Sequence, residues 1–181
     1  MKKVMMIMVL ATCVGSLCST HGISAEPARS PVKGSGVTVG IMGMPFSGEG
    51  VLIVREKEYV VTIQTQLLGM PEQKGDGTTH AKSSHTFTLY DNDIEIGSFI
   101  TEDQAVLIST ADPMVKKVNS NLIIKEETGL WEGVTGRVQA HGTMTLEPVL
   151  DAEGNTILDP YGNPLLTGTT DFVFKGTLSA F

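Results

Sequence analysis

The chain has 181 residues and a formal net charge of −7, with 20 acidic and 13 basic side chains. An acidic chain without a basic cluster is a poor candidate for binding nucleic acid or an anionic membrane surface, because both require positive charge. The sequence contains no catalytic-triad motif, phosphate-binding loop or cofactor motif, so we expect no cofactor and no redox chemistry.

Residues 1–25 have the pattern of a secretory signal peptide. Lys2 and Lys3 precede an apolar run over residues 4–14, and a region of small residues ends at Ala25. The apolar run is shorter than the roughly 20 residues that a membrane-spanning helix needs. We therefore expect cleavage near Ala25 and a secreted or periplasmic protein without a membrane span.

A lipoprotein leader is the alternative interpretation. Residues 10–13 read Leu-Ala-Thr-Cys, the outline of a lipid-attachment box in which Cys13 would be modified. If the leader is instead an ordinary signal peptide, both Cys13 and Cys18 leave with it. The mature chain would then have no disulfide and no thiolate metal site.

The remaining chain is predicted to be one β domain behind a short linker. Residues 26–36 are rich in Pro, Ser and Gly and are predicted to form a flexible leader. Over residues 37–181, apolar side chains recur at every second position, which is typical of strands. Eight strands are predicted, over residues 51–54, 59–68, 85–91, 94–101, 105–109, 121–125, 137–147 and 171–179. A further strand is considered over residues 37–41. Short antiparallel strands of this number predict an all-β sandwich or barrel.

Two connections in this pattern are unusual. Residues 70–84 form a long polar segment, which we interpret as a mobile surface loop, with a lid as the alternative. Residues 150–165 contain a repeat in which Asp151 and Asp159 each precede a Gly-Asn pair, as in tandem turns. Calcium binding is the alternative for this repeat, although its spacing does not match the EF-hand loop.

The most regular strand alternates over residues 134–147 between an apolar and a polar face. Glycines inside such strands, here Gly136, Gly142 and Gly176, normally weaken them unless the backbone coils strongly or is closely approached. Strong coiling is what barrel closure requires, and closure also removes the exposed edges of an open sheet. The pattern therefore favours an antiparallel barrel.

The segment 128–138, TGLWEGVTGRV, resembles the Thr-Gly-x-aromatic-x-Gly-x-x-Gly signature of the allene oxide cyclase and dirigent β-barrels. The resemblance extends to segments 87–97 and 172–178. It implies an eight-stranded, allene-oxide-cyclase-like barrel and a homotrimer. Two features depart from the family: Glu126 and Glu127 replace a Gly-Gly pair, and residues 148–168 are an insertion. The catalytic residues of the plant enzymes do not map onto this chain.

Five polar residues are the candidate ligand-binding side chains: Tyr90, Asp91, Arg137, Gln139 and His141. The last three share one face of their strand. That face either lines the barrel lumen and orients a ligand, or it is the solvated outside while Val138 and its apolar neighbours fill the interior.

A zinc site is a weaker alternative, with His85 and His141 joined by Asp91 or Asp93. The two histidines lie on separate predicted strands without a local ligand pair, so we interpret them as solvated and predict no metal site.

Three functions follow as hypotheses. The first is an exported barrel that binds a small apolar ligand or a partner protein without conventional catalysis. The second, implied by the resemblance, is an isomerase or cyclase that steers a reactive intermediate. The third is a structural protein of the cell envelope that makes contacts through the Asp-Gly-Asn turns. In each, Trp131 is predicted to be a buried packing residue that lies over Gly133.

Overall fold

The structure is a computed structural model that describes residues 29–179. The signal-peptide and lipoprotein interpretations concern residues outside this range and stay predictions. Over the described residues, nine strands and one turn of 3-10 helix follow in chain order: β1 (Arg29–Ile41), β2 (Phe46–Val54), β3 (Lys57–Leu67), β4 (Glu72–Gln73), β5 (Thr78–Asp91), β6 (Ile94–Ser109), β7 (Val115–Glu127), the 3-10 turn (Gly129–Trp131), β8 (Thr135–Pro148) and β9 (Leu166–Ser179).

Eight of these strands form a closed antiparallel barrel. Neighbouring strands follow the order β3-β2-β1-β9-β8-β7-β6-β5, and pairing of β3 with β5 closes the cylinder. The short β4 pairs with the start of β5 and continues the line of β3. The predicted all-β, eight-stranded antiparallel barrel is therefore confirmed. Within residues 29–179, no helix has the length and apolar character needed to cross a membrane.

The predicted flexible leader is wrong for residues 29–36, which form the first half of β1. Ser30 and Val32 point inward and are buried, and the segment pairs with β9 along its whole length. Pro, Ser and Gly suggested a linker by composition, but alternating inward positions and two neighbouring strands override that preference. The predicted strands 94–101 and 105–109 are likewise a single strand, β6.

The polar segment 70–84 is mostly a hairpin rather than a mobile loop. The backbone N–H of Lys74 donates to the carbonyl of Thr78 at 2.8 Å, which closes the turn between β4 and β5. Asp76 accepts from the backbone N–H of Thr78 at 3.0 Å and from its hydroxyl at 2.7 Å. Polar side chains here therefore build a turn, and β5 begins seven residues earlier than predicted.

An aromatic cluster fills one end of the barrel. Phe87 lies 4.9 Å from Phe99 and 5.5 Å from Phe174, measured between ring centroids. Beneath them, the Trp131 ring lies 5.7 Å from Phe99 and 5.6 Å from Tyr59. Burial of Trp131 is confirmed, but its predicted packing over Gly133 is wrong, because the space beside the Gly133 Cα is open.

Close backbone approach explains the glycines of β8 and β9. A Cβ added at Gly142 would lie 2.1 Å from the carbonyl oxygen of Asp171, and one added at Gly176 would lie 2.3 Å from that of Arg137. Both distances are far below van der Waals contact, so a side chain at either position would force the strands apart. Close approach of another backbone, one of the two explanations offered for these glycines, is therefore confirmed.

The insertion between β8 and β9 folds into two consecutive turns of the same design. The Asp151 carboxylate accepts from the backbone N–H of Asn155 at 2.8 Å, and the Asp159 carboxylate accepts from that of Asn163 at 2.9 Å. Each turn is closed by an isolated β-bridge, Leu150 to Thr156 and Leu158 to Pro164. The tandem-turn interpretation is confirmed.

These turns are expected to respond to acid. Backbone hydrogen bonds from Asn155 and Asn163 hold the pKa of Asp151 and of Asp159 below the usual value of 3.8. The stabilisation is present above the ordinary pKa and is lost as the pH falls through the lowered one. In an NMR titration, the amide signals of Asn155 and Asn163 should shift with midpoints below 3.8. In Asp151→Asn only the Asn163 midpoint should remain, and midpoints at the ordinary value would contradict the hydrogen-bonded turns.

Candidate functional site

A cavity of about 340 Å³ occupies the lumen at the end of the barrel opposite Trp131. Its mouth lies among the connections that follow β1, β3, β6 and β8. The wall is predominantly apolar, and six of its larger apolar side chains are Met42, Met44, Leu67, Leu107, Val118 and Met144. Phe172 and Phe174 form part of its inner end, where Phe174 packs on the aromatic cluster. The barrel is thus filled at one end and hollow at the other.

Small side chains create the space. Alternation along each strand directs Ala81, Ala105 and Ala140 into the lumen, and the inward position Gly142 has no side chain. At this end of the barrel, β5, β6 and β8 therefore each contribute only a methyl group, whereas the other end is filled by aromatic side chains. Protein interiors are normally close-packed, so a hollow of this size is a candidate binding site.

Polar side chains from four neighbouring strands interrupt the apolar wall. We call this group the polar strip. It consists of Thr65 on β3, Ser83 and His85 on β5, Asp103 on β6, and Ser120 on β7. Asp103 lies behind His85 and is not itself part of the cavity lining. Cross-strand pairing aligns Thr65 with His85 and Ser83 with Asp103. The strip is therefore a continuous band across one side of the lumen.

The centre of the polar strip is a hydrogen-bonded His85–Asp103 pair. His85 Nδ1 bonds to Asp103 Oδ2, and the Ser83 hydroxyl donates to the same oxygen at 3.3 Å. The Asp103 side chain is completely buried. With an ionised Asp103 and a neutral His85, Nδ1 carries the proton and Nε2 keeps its lone pair, because an ionised carboxylate only accepts hydrogen bonds. Nε2 bonds to no residue in the described part of the chain.

Three buried oxygen atoms of the polar strip also lack a hydrogen-bond partner among residues 29–179: Thr65 Oγ1, Asp103 Oδ1 and Ser120 Oγ. A buried polar atom without a partner costs about 1 to 3 kcal/mol, so such atoms are rare in folded proteins. These oxygen atoms lie beneath the cavity surface rather than on it. A molecule in the lumen would bond to the Thr65 or Ser120 hydroxyl only after the side chain rotates, whereas the His85 ring is already partly exposed in the lumen.

Three of the predicted ligand-binding residues lie on the outside of the barrel. Arg137, Gln139 and His141 are exposed, whereas the alternating positions Val138 and Ala140 point inward. The interpretation of this face as solvated is confirmed, and its placement in the lumen is wrong. His141 Nδ1 instead pairs with Asn119 Oδ1 of β7 at 2.8 Å on the outer surface.

Tyr90 and Asp91 lie at the far end of β5, away from the cavity mouth. Asp91 accepts a hydrogen bond from Lys57 Nζ at 2.5 Å, and this bond raises the pKa of Lys57. A shift of register after Leu89 changes the alternation at this point. None of the five predicted site residues lines the cavity. The sequence pattern shows which residues share a strand face, but it does not show which face points inward or which end of the barrel is hollow.

Sequence reasoning missed Asp103 and assigned His85 to solvent. The usable signal was Asp103 itself, a charged residue within the inward series 99, 101, 103, 105 and 107 of β6. Because the sequence pattern divided β6 into two predicted strands, 94–101 and 105–109, Asp103 fell in the gap between them and was not recognised as an inward position.

The zinc hypothesis fails on geometry. His85 faces the lumen and His141 faces solvent, so the barrel wall separates the two imidazoles. Across residues 29–179, no group of three or more His, Cys, Asp or Glu side chains is placed to hold a metal ion. In the turns of the insertion, Asp151 and Asp159 are each engaged by their own Asn neighbours, which gives no support to calcium binding there.

Comparison with known proteins found no matching family model, no similar curated protein and no similar solved structure. The resemblance to the allene oxide cyclase and dirigent barrels therefore stays a prediction. The eight-stranded barrel is common to many unrelated functions, so the fold does not choose among them.

Proposed function

We propose that this protein is a small exported barrel that binds a compact apolar ligand in its lumen. The observation that supports this function is the hollow end of the barrel, where an apolar wall surrounds a small number of converging polar groups. Ligand pockets have this composition and volumes of about 300 to 1,000 Å³, so the cavity suits a small ligand. The export part of the proposal depends on the signal-peptide pattern.

Cavity filling provides the test. Ala140 lines the cavity on β8, and the preceding residue, Gln139, is exposed on the opposite face of the same strand. N-phenyl-1-naphthylamine is an uncharged dye whose fluorescence rises in an apolar site. We expect it to bind the wild-type protein and the control variant Gln139→Phe, and to lose at least about tenfold in affinity for Ala140→Phe. Because tenfold corresponds to about 1.4 kcal/mol, the change is easily measured by titration.

The control separates a blocked cavity from a general effect of adding a phenyl ring to β8. Equal affinity of the dye for Ala140→Phe and Gln139→Phe would show that it binds outside the lumen. No dye binding to folded wild-type protein would contradict the proposed function.

A homotrimer is part of the proposal. It is supported by three valines on the outer face of the paired strands β1 and β9, where Val37, Val39 and Val173 are 39%, 47% and 57% exposed. Burial of apolar side chains between copies would stabilise such an assembly.

An enzyme is the second candidate function. The observation that favours it is the His85–Asp103 pair, because a cavity that only held an apolar ligand would not need a buried carboxylate paired with an imidazole.

A further inference from the structure

The His85–Asp103 pair is a costly feature of the cavity wall. Removing a carboxylate from water is costly, and the cost is offset only by good hydrogen bonds. Asp103 receives two, from His85 and Ser83, while its Oδ1 bonds to no residue over the described range. Apolar side chains at both positions would fill the wall without this cost. The pair therefore calls for a chemical explanation.

The arrangement is suited to accepting a proton. A carboxylate on Nδ1 fixes the imidazole orientation, leaves the lone pair on Nε2, and stabilises the imidazolium that forms when Nε2 takes a proton. His85 lines the cavity, and its side chain is 16% exposed, so a molecule in the lumen has access to the ring. His85 Nε2 makes no hydrogen bond to a described hydroxyl group that it would activate as a nucleophile. Proton transfer to and from the ligand itself is a reaction that this arrangement can perform.

A hydrogen-bond donor lies beside this base. The Thr65 side chain lines the cavity, and its buried hydroxyl has no hydrogen-bond partner among residues 29–179, so it is free to turn toward the lumen. Thr65 lies directly across from His85 on the neighbouring strand. Hydroxyl donors held in a water-poor site stabilise negative charge that develops on a carbonyl oxygen.

We propose that the lumen is a proton-transfer site for apolar ketones, with His85 as the catalytic base. Nε2 removes a proton from the carbon next to the carbonyl group. The C–H electron pair becomes the carbon–carbon double bond of an enolate, and the carbonyl π pair moves onto oxygen, where Thr65 beside His85 donates a hydrogen bond. The imidazolium then returns a proton to carbon, which leaves an isomerised or exchanged ketone without any oxidant or second substrate. This inference rests on the proposed function, because it requires an apolar ligand in the cavity.

Hydrogen–deuterium exchange into 2-tetralone tests the proposal. This compact bicyclic ketone has exchangeable protons next to its carbonyl, and NMR in D₂O follows their loss. We expect wild-type protein to accelerate exchange and His85→Gln to lower the protein-dependent rate at least about 100-fold, the usual contribution of a general base. Gln retains an N–H group for Asp103 but is not basic. The matched control is His141→Gln on the outer face, which should exchange at the wild-type rate.

A further variant keeps the test decisive if His85→Gln does not fold. Thr65→Val removes a hydroxyl group that has no described partner, so the variant should fold, and it should slow exchange about tenfold or more. Binding of 2-tetralone is measured separately by displacement of N-phenyl-1-naphthylamine.

The outcomes distinguish the two proposals. If 2-tetralone displaces the dye but exchange is no faster than in buffer, or is unaffected by both lumen variants, the proton-transfer site is overturned and ligand binding stands. If the dye binds and the ketone does not, the proton-transfer site is also overturned. If neither binds to folded protein, the proposed function itself fails.

Discussion

Replacing Trp131 by Ala is expected to lower the free energy of unfolding by about 3 to 5 kcal/mol, the usual cost of removing a large buried aromatic side chain. Trp131 is 1% exposed and packs between Tyr59 and Phe99, so its loss leaves a hollow at the filled end of the barrel. The backbone around the 3-10 turn is held by its own hydrogen bonds and cannot collapse fully into that space. Urea denaturation of the purified domain measures the change.

Leu130 supplies the matched control, since it precedes Trp131 in the same turn but is 75% exposed. Leu130→Ala should change the stability by no more than about 0.5 kcal/mol, as is usual for surface substitutions. Equal effects of the two substitutions would contradict the packing of Trp131 described here.

Gly97→Ala is expected to lower the free energy of unfolding by about 3 kcal/mol or more, from overpacking together with a strained backbone. A Cβ at this position would lie 2.2 Å from the carbonyl oxygen of Thr128, and the φ angle of Gly97 is +140°. The contact joins β6 to the 3-10 turn that carries Trp131. Thr128 also donates its backbone N–H to the carbonyl of Ser98 at 2.8 Å, which holds the turn against the strand.

Gly75→Ala is the control for this substitution. Gly75 lies in the exposed turn between β4 and β5, and no atom comes within 4 Å of a Cβ built there. Urea denaturation should show little change for Gly75→Ala. A comparable small change for Gly97→Ala would mean that β6 and the 3-10 turn do not approach each other as closely as the structure has them.

The barrel itself was predictable from the sequence because alternation and interior glycines are local signals of long-range pairing. Segments 128–138 and 87–97, which carry the family resemblance, meet in the structure through the contact of Gly97 with Gly129. Residues 29–36 were misjudged because composition suggests a linker, while pairing with β2 and β9 decides their conformation.

The site was less predictable for a physical reason. Each strand reveals which residues share a face, but the cavity depends on where Ala81, Ala105 and Ala140 coincide around the cylinder. The positions of these residues relative to one another are set by the register between neighbouring strands, which cannot be inferred from the alternation pattern of a single sequence. The pairing of His85 with Asp103 has the same origin, because these residues are brought together only when β5 and β6 align.

Native mass spectrometry of the protein purified from its own cell envelope or medium tests the central claim most directly. We predict a trimer that carries a small apolar molecule, which is released on denaturation, and we predict that the adduct is absent from the Ala140→Phe variant purified in the same way. A bare wild-type chain that also takes up no added N-phenyl-1-naphthylamine would contradict ligand binding in the lumen.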